Sequence, residues 1–308
     1  MRRYKALGLL AACLGVGASA QAAPHDLDVS QLGNPTLGAN GYQSGAQGNF
    51  QAFALELGAG LAAAVLEPPN SLGTSGFAVN AELAVVNFAR HSSTFRMPTE
   101  QPVSSAWVMP SLHVRKGFPF GVEAGAKVTW LDRSGLVAGT VEARWTLTEG
   151  GGYLPAVALR GYLTKLFGTP DFSLQTGGID LSAGKRFPLA GVLSLTPYLG
   201  YGLGWTDARS GVIDFNRGRS AIAAQSGGAA EAYVDTAQYQ AVAGADTPYN
   251  RVYVGGKFSS GVFTAGVECS LAGPGSFGEP LPDGTASTTV SRALPAIFAL
   301  NSTVGLEF

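Results

Sequence analysis

The chain ends in Ala296-Ile297-Phe298-Ala299-Leu300-Asn301-Ser302-Thr303-Val304-Gly305-Leu306-Glu307-Phe308, and this stretch decides the fold. Large apolar side chains stand at Phe298, Leu300, Val304, Leu306 and Phe308, separated by small or polar residues. A period of two places the apolar residues on one face of a β-strand and the polar residues on the other. The stretch therefore predicts an amphipathic strand at the C-terminus.

The same pattern recurs from Gly76 onwards in about ten segments, most of them followed by a short turn of Gly, Pro, Ser or Asp. No helical pattern lies between the segments, so the sequence favours an antiparallel meander over repeated units of strand, helix and strand. The predicted strands are 77–90, 103–115, 118–131, 136–147, 153–166, 172–187, 191–205, 250–258, 261–271 and 294–308.

The two faces of these strands differ in charge. One face is apolar and carries charge only near strand ends, at Lys165 and Lys185. A lipid-facing Arg or Lys near the bilayer midplane costs about 2 to 4 kcal/mol, so a charge-free face is typical of a membrane barrel. A soluble β-sandwich also alternates, but its wet face carries more Lys and Glu. The pattern favours an all-β fold, a transmembrane antiparallel up-and-down β-barrel of about 10 strands, with 8 or 12 as alternatives.

Composition narrows the function classes. Charged residues make up 13% of the chain and the net charge is -1, so a basic surface for nucleic acid is not expected.

Residues 1–22 are predicted to be a signal peptide, because a basic start is followed by an apolar run and small residues at a cleavage position. A lipoprotein box ending at Cys13 is the alternative. After cleavage Cys269 is the only cysteine, which excludes an intramolecular disulfide.

Residues 23–75 are predicted to form a periplasmic leader, and residues 76–308 the barrel. Within the leader, residues 50–66 fit either a strand or a helix with one apolar stripe. A strand would make eleven and would leave the two termini on opposite sides of the membrane. We therefore expect a short helix, stopped by Pro68-Pro69, that plugs the lumen or packs at its mouth.

The terminal strand also predicts the orientation. A C-terminal amphipathic strand ending in Phe resembles the recognition signal of outer-membrane barrels, which ends at the periplasmic side. Counting back from Phe308 places the loops 207–249 and 272–289 outside the cell and short turns such as 259–261 in the periplasm. Long outer loops and short inner turns are the usual asymmetry of such barrels.

Several short stretches resemble a family of uncharacterised outer-membrane β-barrel proteins of Gram-negative bacteria. They are Leu57-Gly58, 72–77, 115–120 and 196–201. A looser likeness, to the long-chain fatty-acid transporter barrels, rests on the helix-like segment before the first strand. The resemblance implies a fold and a location, the cell outer membrane, and it implies no ligand site.

No catalytic, cofactor or metal site is predicted. His25 lies in the leader, His91 in a loop and His113 on the inward face, and none has a nucleophile motif beside it. The inward face of the strands carries a set of charged residues that are candidates for a role in the lumen, together with Glu82 and Asp180. Those charges are expected to pair across neighbouring strands or to line a narrow, slightly basic path for anions or small polar solutes. The lumen-facing candidates are Arg115, Glu123, Lys127, Glu142, Arg144, Arg160, Arg251, Lys257 and Glu268.

Three function classes follow from this interpretation. Passive, porin-like passage or binding of a small solute or lipid is favoured. A structural or surface-interaction barrel using the loop 207–249, which carries Tyr233, Tyr239 and Tyr249, is the alternative, and an enzyme is least expected. The expected partners are outer-membrane lipid and the barrel-assembly machinery, which would read an assembly signal formed by Val304, Leu306 and Phe308.

Overall fold

The computed structural model describes residues 25–35, 45–62, 64–88, 106–151, 153–189, 191–215, 236–280 and 289–308. None of the helices in these ranges is long and apolar enough to cross a membrane. His91, Tyr233, Cys13 and the predicted signal peptide lie outside the described residues.

The described chain contains one α-helix, several 3-10 turns and fifteen strands. The helix α1 is Gly45–Gly60, and 3-10 turns lie at Val29–Leu32, Pro119–Gly121 and Gly244–Asp246. The strands are β1 Phe77–Asn87, β2 Ala106–Gly117, β3 Val122–Trp130, β4 Val137–Thr148, β5 Ala156–Phe167, β6 Phe172–Gly184, β7 Phe187–Pro188, β8 Leu193–Ser210, β9 Ile213–Asp214, β10 Thr236–Ala237, β11 Tyr249–Ser260, β12 Phe263–Gly273, β13 Ser276–Pro280, β14 Thr289–Ala293 and β15 Ile297–Glu307.

Ten of these strands close into an antiparallel barrel. Their order around the wall is β1, β2, β3, β4, β5, β6, β8, β11, β12 and β15, and β15 pairs again with β1. The two-residue β7 pairs with β8 beside the barrel. At the seam Val304 lies opposite Ala81, and the N–H of Phe308 donates to the carbonyl of Phe77 at 2.9 Å. The predicted fold class and the count of ten strands are confirmed.

The outer face of the wall is apolar. Val141 is 60% exposed, Leu199 63% and Val304 61%, although a soluble protein seldom exposes a continuous apolar band. Charged residues on this face lie only towards strand ends, at Lys116, Lys165, Asp207 and Arg209. The closed ladder pairs the backbone of each wall strand with two neighbours, and an apolar exterior suits lipid, so both requirements of a membrane barrel are met.

The two ends of the barrel differ in the length of their connections. At one end, β8 and β11 are joined through residues 211–248, and β12 and β15 through residues 274–296. At the other end, the connections include 118–121, 149–155 and 261–262, and the chain terminus Phe308 lies there too. We call these the long-loop end and the turn end. Strand β8 continues to Ser210, beyond the predicted loop start at Asp207.

Helix α1 lies inside the barrel at its long-loop end. The helix begins earlier than predicted and ends at Gly60, well before Pro68, so the predicted proline stop is wrong. A Cβ at Gly60 would lie 2.6 Å from the ring of Phe88, and a Cβ at Gly58 would collide with Thr206, so the surrounding wall leaves room only for glycine here. Buried residues occur on nearly every side of the helix instead of along one stripe.

Candidate functional site

All nine candidate charges point into the lumen. Eight of these residues are buried, with exposed fractions from 0% for Glu268 to 6% for Arg144, and the side chain of Glu142 is 6% exposed. Their inward position follows from strand parity, because each alternates with an outward apolar neighbour. Burying a charge is costly unless it is paired and hydrogen-bonded, so the partners of these groups decide what the site is.

One group of charges forms a continuous chain across the middle of the lumen, which we call the mid-barrel cluster. Asp180 pairs with Arg251 at 2.7 Å and with Arg160 at 2.9 Å. Arg160 reaches Glu142 at 2.6 Å, whose other oxygen lies 3.1 Å from Nε2 of His113. The chain continues from Nδ1 of His113 to Glu82 at 2.8 Å, and from Glu82 to Lys127 at 2.7 Å.

A second group lies nearer the turn end, and we call it the turn-end cluster. Its centre is Arg115, which contacts Glu67 at 2.8 Å, Glu123 at 2.9 Å and Glu307 at 3.2 Å. Glu123 also binds Arg144 at 2.9 Å, directly across the β3 and β4 ladder. Lys257 bridges Glu67 and Glu307. Glu67 is not part of the wall, because it precedes the first strand.

Glu67 belongs to an extended stretch that connects α1 to β1 through the lumen. We call residues 61–76 the lumen segment; all of it except residue 63 is described. It forms no β-ladder with the wall, so its buried backbone groups need other partners. The inward charges supply several of them. Leu66 donates its N–H to Glu268 at 2.8 Å, and Leu72 donates to Glu123 at 2.7 Å.

Carbonyl groups of the lumen segment are satisfied by cationic and hydroxyl donors. Arg144 donates to Pro68 at 2.8 Å and to Asn70 at 2.9 Å, and Thr146 donates to Pro69 at 2.9 Å. Proline has no backbone N–H, so at Pro68 and Pro69 only the carbonyl oxygen needs a hydrogen-bond partner. Two prolines therefore suit a stretch that crosses a lumen without a strand partner.

Nearer the long-loop end, cations hold the start of the lumen segment. Lys127 donates to the carbonyl of Ala64 at 3.3 Å, and Arg251 donates to that of Ala62 at 3.3 Å. The mid-barrel cluster and the turn-end cluster thus bind the same extended chain. The structure fills the expected polar path with this segment, and a cavity of about 40 Å³ remains beside it.

Four buried tyrosine rings fill the lumen beside strands β5, β6, β8 and β11, and we call them the tyrosine layer: Tyr162, Tyr198, Tyr249 and Tyr253. The ring of Tyr249 lies over Gly204 of β8, where any Cβ would collide with it, and the ring of Tyr253 lies over Gly200 in the same way. The hydroxyls of Tyr249 and Tyr162 are 3.2 Å apart, and the guanidinium of Arg160 lies 4.9 Å from the centre of the Tyr162 ring. Gly204 and Gly200 therefore leave room for the two tyrosine rings on the inner face of β8.

A tyrosine from the long loop anchors α1. The ring of Tyr239 stacks on Phe50 at 4.6 Å, and its hydroxyl donates to the carbonyl of Val29 at 3.1 Å. Burial, and secondarily the Asp28 carboxylate, raises the pKa of the Tyr239 hydroxyl, so it keeps its proton even in alkaline solution in which a free tyrosine ionises. Tyr239 is 3% and Tyr249 1% exposed. The interpretation of these two tyrosines as surface contacts of the long loop is therefore wrong.

The histidines of the described ranges are engaged in structural contacts. His113 is buried between two carboxylates, and His25 stacks on Trp107 with ring centres 6.1 Å apart. In the same ranges, no group of three or more His, Cys, Asp or Glu side chains is arranged to hold a metal ion.

The sequence interpretation missed Glu67 and the tyrosine layer. Glu67 lies outside every strand, so no periodicity marks it; the Pro-Pro pair that follows was its only signal. Of the wall residues, Glu307 was overlooked as a charged partner, although its alternation with Leu306 and Phe308 places it inward.

No protein-family model and no curated protein matches the chain. Among solved structures it is similar to Ail, the attachment invasion locus protein of Yersinia pestis, with 10% identity, a TM-score of 0.28, and coverage of 76% of this chain and 99% of Ail. It is also similar to Neisserial surface protein A, with 13% identity, a TM-score of 0.30, and coverage of 75% and 97%. A third is the outer membrane protein OprG from Pseudomonas aeruginosa, with 10% identity, a TM-score of 0.29, and coverage of 79% of this chain and 99% of OprG.

These neighbours are outer-membrane β-barrels of Gram-negative bacteria. The class of this protein is defined by its own closed ladder, apolar exterior and polar, filled interior. It is an integral membrane β-barrel.

Proposed function

We propose that the protein is a closed barrel that acts at the cell surface. Its lumen stays shut in the resting state, and its long-loop end meets a surface ligand. The observation that carries this proposal is the binding of the lumen segment by the inward charges. Four inward side chains that could otherwise line a solute path form hydrogen bonds with the backbone of that segment instead. They are Glu268, Glu123, Arg144 and Lys127.

The remaining space supports a closed lumen. The cavity of about 40 Å³ beside the lumen segment has room for about three water molecules and not for a sugar. Passage would require the lumen segment to leave its ligands. That step would expose Arg115 and Lys257 without Glu67, and breaking a buried ion pair costs about 3 to 5 kcal/mol.

Passage of a small solute remains the second candidate, as a gated event. One observation favours it. Apart from one backbone hydrogen bond at its last residue, Gly76, the described lumen segment is held to the wall by side chains, whereas the wall is held by a closed backbone ladder. The segment could therefore be released while the ten strands remain paired. An enzymatic role has less support, since both ring nitrogens of His113 are occupied by carboxylates.

The proposal implies two kinds of partner. Outer-membrane lipid would cover the apolar exterior, and the barrel-assembly machinery would read Val304, Leu306 and Phe308 on the exposed face of β15. A surface ligand would meet the long loop beside residues such as Val212, which is 64% exposed.

Conductance in planar bilayers tests the closed lumen. The purified barrel should show no steady current, whereas Glu67→Ala should show channel openings, because it removes the carboxylate through which Arg115 and Lys257 hold the segment. Glu149→Ala is the matched control: Glu149 also binds the segment, at Ser71, but at an exposed rim site. A steady open current from the unmodified protein would contradict the proposal.

A further inference from the structure

The path of the chain before the first strand has a defined direction. Residues 25–35 lie at the long-loop end, where His25 donates its backbone N–H to the carbonyl of Arg133 at 3.0 Å. Gly135 donates its N–H to the carboxylate of Asp26 at 2.7 Å. Arg133 and Gly135 belong to the turn between β3 and β4, whose strand ends Trp130 and Val137 face the long-loop end.

Helix α1 keeps the chain at this end. Gln47 exchanges two hydrogen bonds with the backbone of Gln240 in the long loop, at 2.9 and 3.2 Å. Further along the helix, Phe53 packs on Phe172, the first residue of β6 at the long-loop end, with ring centres 5.4 Å apart. The helix therefore enters the lumen from the side of the long loops.

The lumen segment then carries the chain to the opposite end. Ser71 donates its N–H to the Glu149 carboxylate at 3.2 Å, and the carbonyl of Gly76 accepts from Gly117 at 2.9 Å. Glu149 and Gly117 both lie at the turn end. Strand β1 starts there at Phe77, beside Phe308. Between the two ends the segment contacts inward side chains from β1, β2, β3, β4, β11 and β12, so its route runs through the barrel and not around it.

We propose that the N-terminal segment 25–35 is displayed on the outer surface of the cell, while the C-terminal residue Phe308 lies in the periplasm. The chain would cross the membrane ten times as wall strands and once through the lumen. The long loops face outwards in barrels of this class and the turns face the periplasm, so residues 25–35 would stand beside the long loop on the outside. This inference does not depend on whether the lumen conducts.

The proposal revises the prediction of a periplasmic leader for residues 23–75. It also gives the lumen contacts a second role: they would fix a surface-exposed N-terminal peptide to the barrel from within. The surface offered to a partner would then combine two pieces, the N-terminal residues and the long loop, which Tyr239 joins through its contacts with Val29 and Phe50.

Cysteine accessibility on intact cells tests this topology. In a Cys269→Ser background, Gln31→Cys reports the N-terminal segment, Val212→Cys the long-loop end and Tyr153→Cys the turn end; all three positions are exposed. A polyethylene-glycol maleimide too large to pass the intact outer membrane should modify Gln31→Cys and Val212→Cys on whole cells. Tyr153→Cys should react only after the outer membrane is permeabilised. Heat-modifiable migration on a gel verifies that each variant is folded.

Two results would overturn the proposal. If Gln31→Cys is protected on intact cells while Val212→Cys reacts, the N-terminal segment does not emerge with the long loops. If both are protected and Tyr153→Cys reacts, the barrel has the opposite orientation and the N-terminus is periplasmic. A short epitope inserted between Ala23 and Pro24, ahead of the described residues, provides a second readout. An antibody should bind it on intact cells, and binding only after permeabilisation would again contradict the proposal.

Discussion

The strand β15 and the lumen segment are both attached to the barrel wall, but by opposite means. Strand β15 pairs with β1 and β12 through its backbone and turns apolar side chains such as Val304 outwards. The lumen segment has its backbone bound by side chains, mostly charged, that reach inwards from several strands. A ladder repeats every two residues and is readable in a sequence, whereas a set of scattered side-chain ligands has no repeat.

The largest effect is expected at the seam. Val304→Asp together with Leu306→Asp would turn two carboxylates towards lipid, where a Lys or Arg costs about 2 to 4 kcal/mol at the midplane and an Asp costs less, but still disfavours insertion. Insertion should fall sharply, because an unpaired seam leaves backbone groups unsatisfied in hydrocarbon. Immunoblots of outer-membrane fractions measure this, with Val212→Asp in the long loop as the control. Normal membrane levels of the double variant would show that this stretch is not a lipid-facing seam.

Removing a ligand of the lumen segment should lower the stability of the folded barrel and leave insertion intact. Arg144→Ala removes donors to Pro68 and Asn70 and leaves Glu123 with one cation fewer, so we expect a loss of about 3 to 5 kcal/mol. Urea unfolding in detergent micelles measures it. Arg209→Ala, an exposed residue on the outer face, should change the free energy of unfolding by less than about 0.5 kcal/mol. Equal effects at the two positions would contradict the assignment of Arg144 as a ligand.

The packing of the tyrosine layer gives a smaller effect. Gly204→Ala would force the ring of Tyr249 to move, and overpacking of this kind costs about 1 to 3 kcal/mol. Gly256→Ala on β11 is the matched control, because an added Cβ there meets nothing within 4 Å. The midpoint of the heat-induced mobility shift should fall for the first variant and hold for the second. A fall in both would point to backbone entropy or strain instead of the ring contact.

A substitution within α1 should stabilise the protein. Glu56 is completely buried, and its carboxylate oxygens have no hydrogen-bond partner among the described residues. Glu56→Met removes an unsatisfied buried polar group while keeping a good helix former, so we expect a gain of about 1 to 3 kcal/mol in the free energy of unfolding. Gln51→Met, at a half-buried position of the same helix, should change it little. Lower stability of Glu56→Met would reveal a partner for the carboxylate.

The sequence predicted the wall well because its signal is repeated. Alternation over residues such as Val252, Val254 and Phe258 marks a lipid-facing strand by itself, and ten such strands fix closure and strand order. The inward direction of Arg144 and Glu268 followed from the same parity. What these charges bind did not follow, because the partner is a stretch that precedes the strands.

The interior of the barrel was less predictable because tertiary contacts decide it. Helix α1 has glycines at Gly58 and Gly60, and only the rings and side chains of the surrounding wall, such as Phe88 beside Gly60, explain why no larger residue fits there. Tyr239 lies in a polar, glycine-rich loop, and only the position of Phe50 inside the barrel explains why it is buried. Glu67 reads as a loop charge until the two cations beside it, Arg115 and Lys257, are seen.

Hydrogen exchange of the lumen segment in the membrane-inserted protein tests the central claim most directly. A peptide covering residues 64–76 contains the backbone N–H groups that donate hydrogen bonds to the carboxylates of Glu268, Glu123 and Glu149. Because these groups are bound inside the barrel, the peptide should exchange far more slowly than a free chain, and Glu67→Ala should remove much of that protection while β15 stays protected. Exchange of this peptide at the rate of an unstructured chain in the unmodified protein would contradict the claim that the segment is held in the lumen.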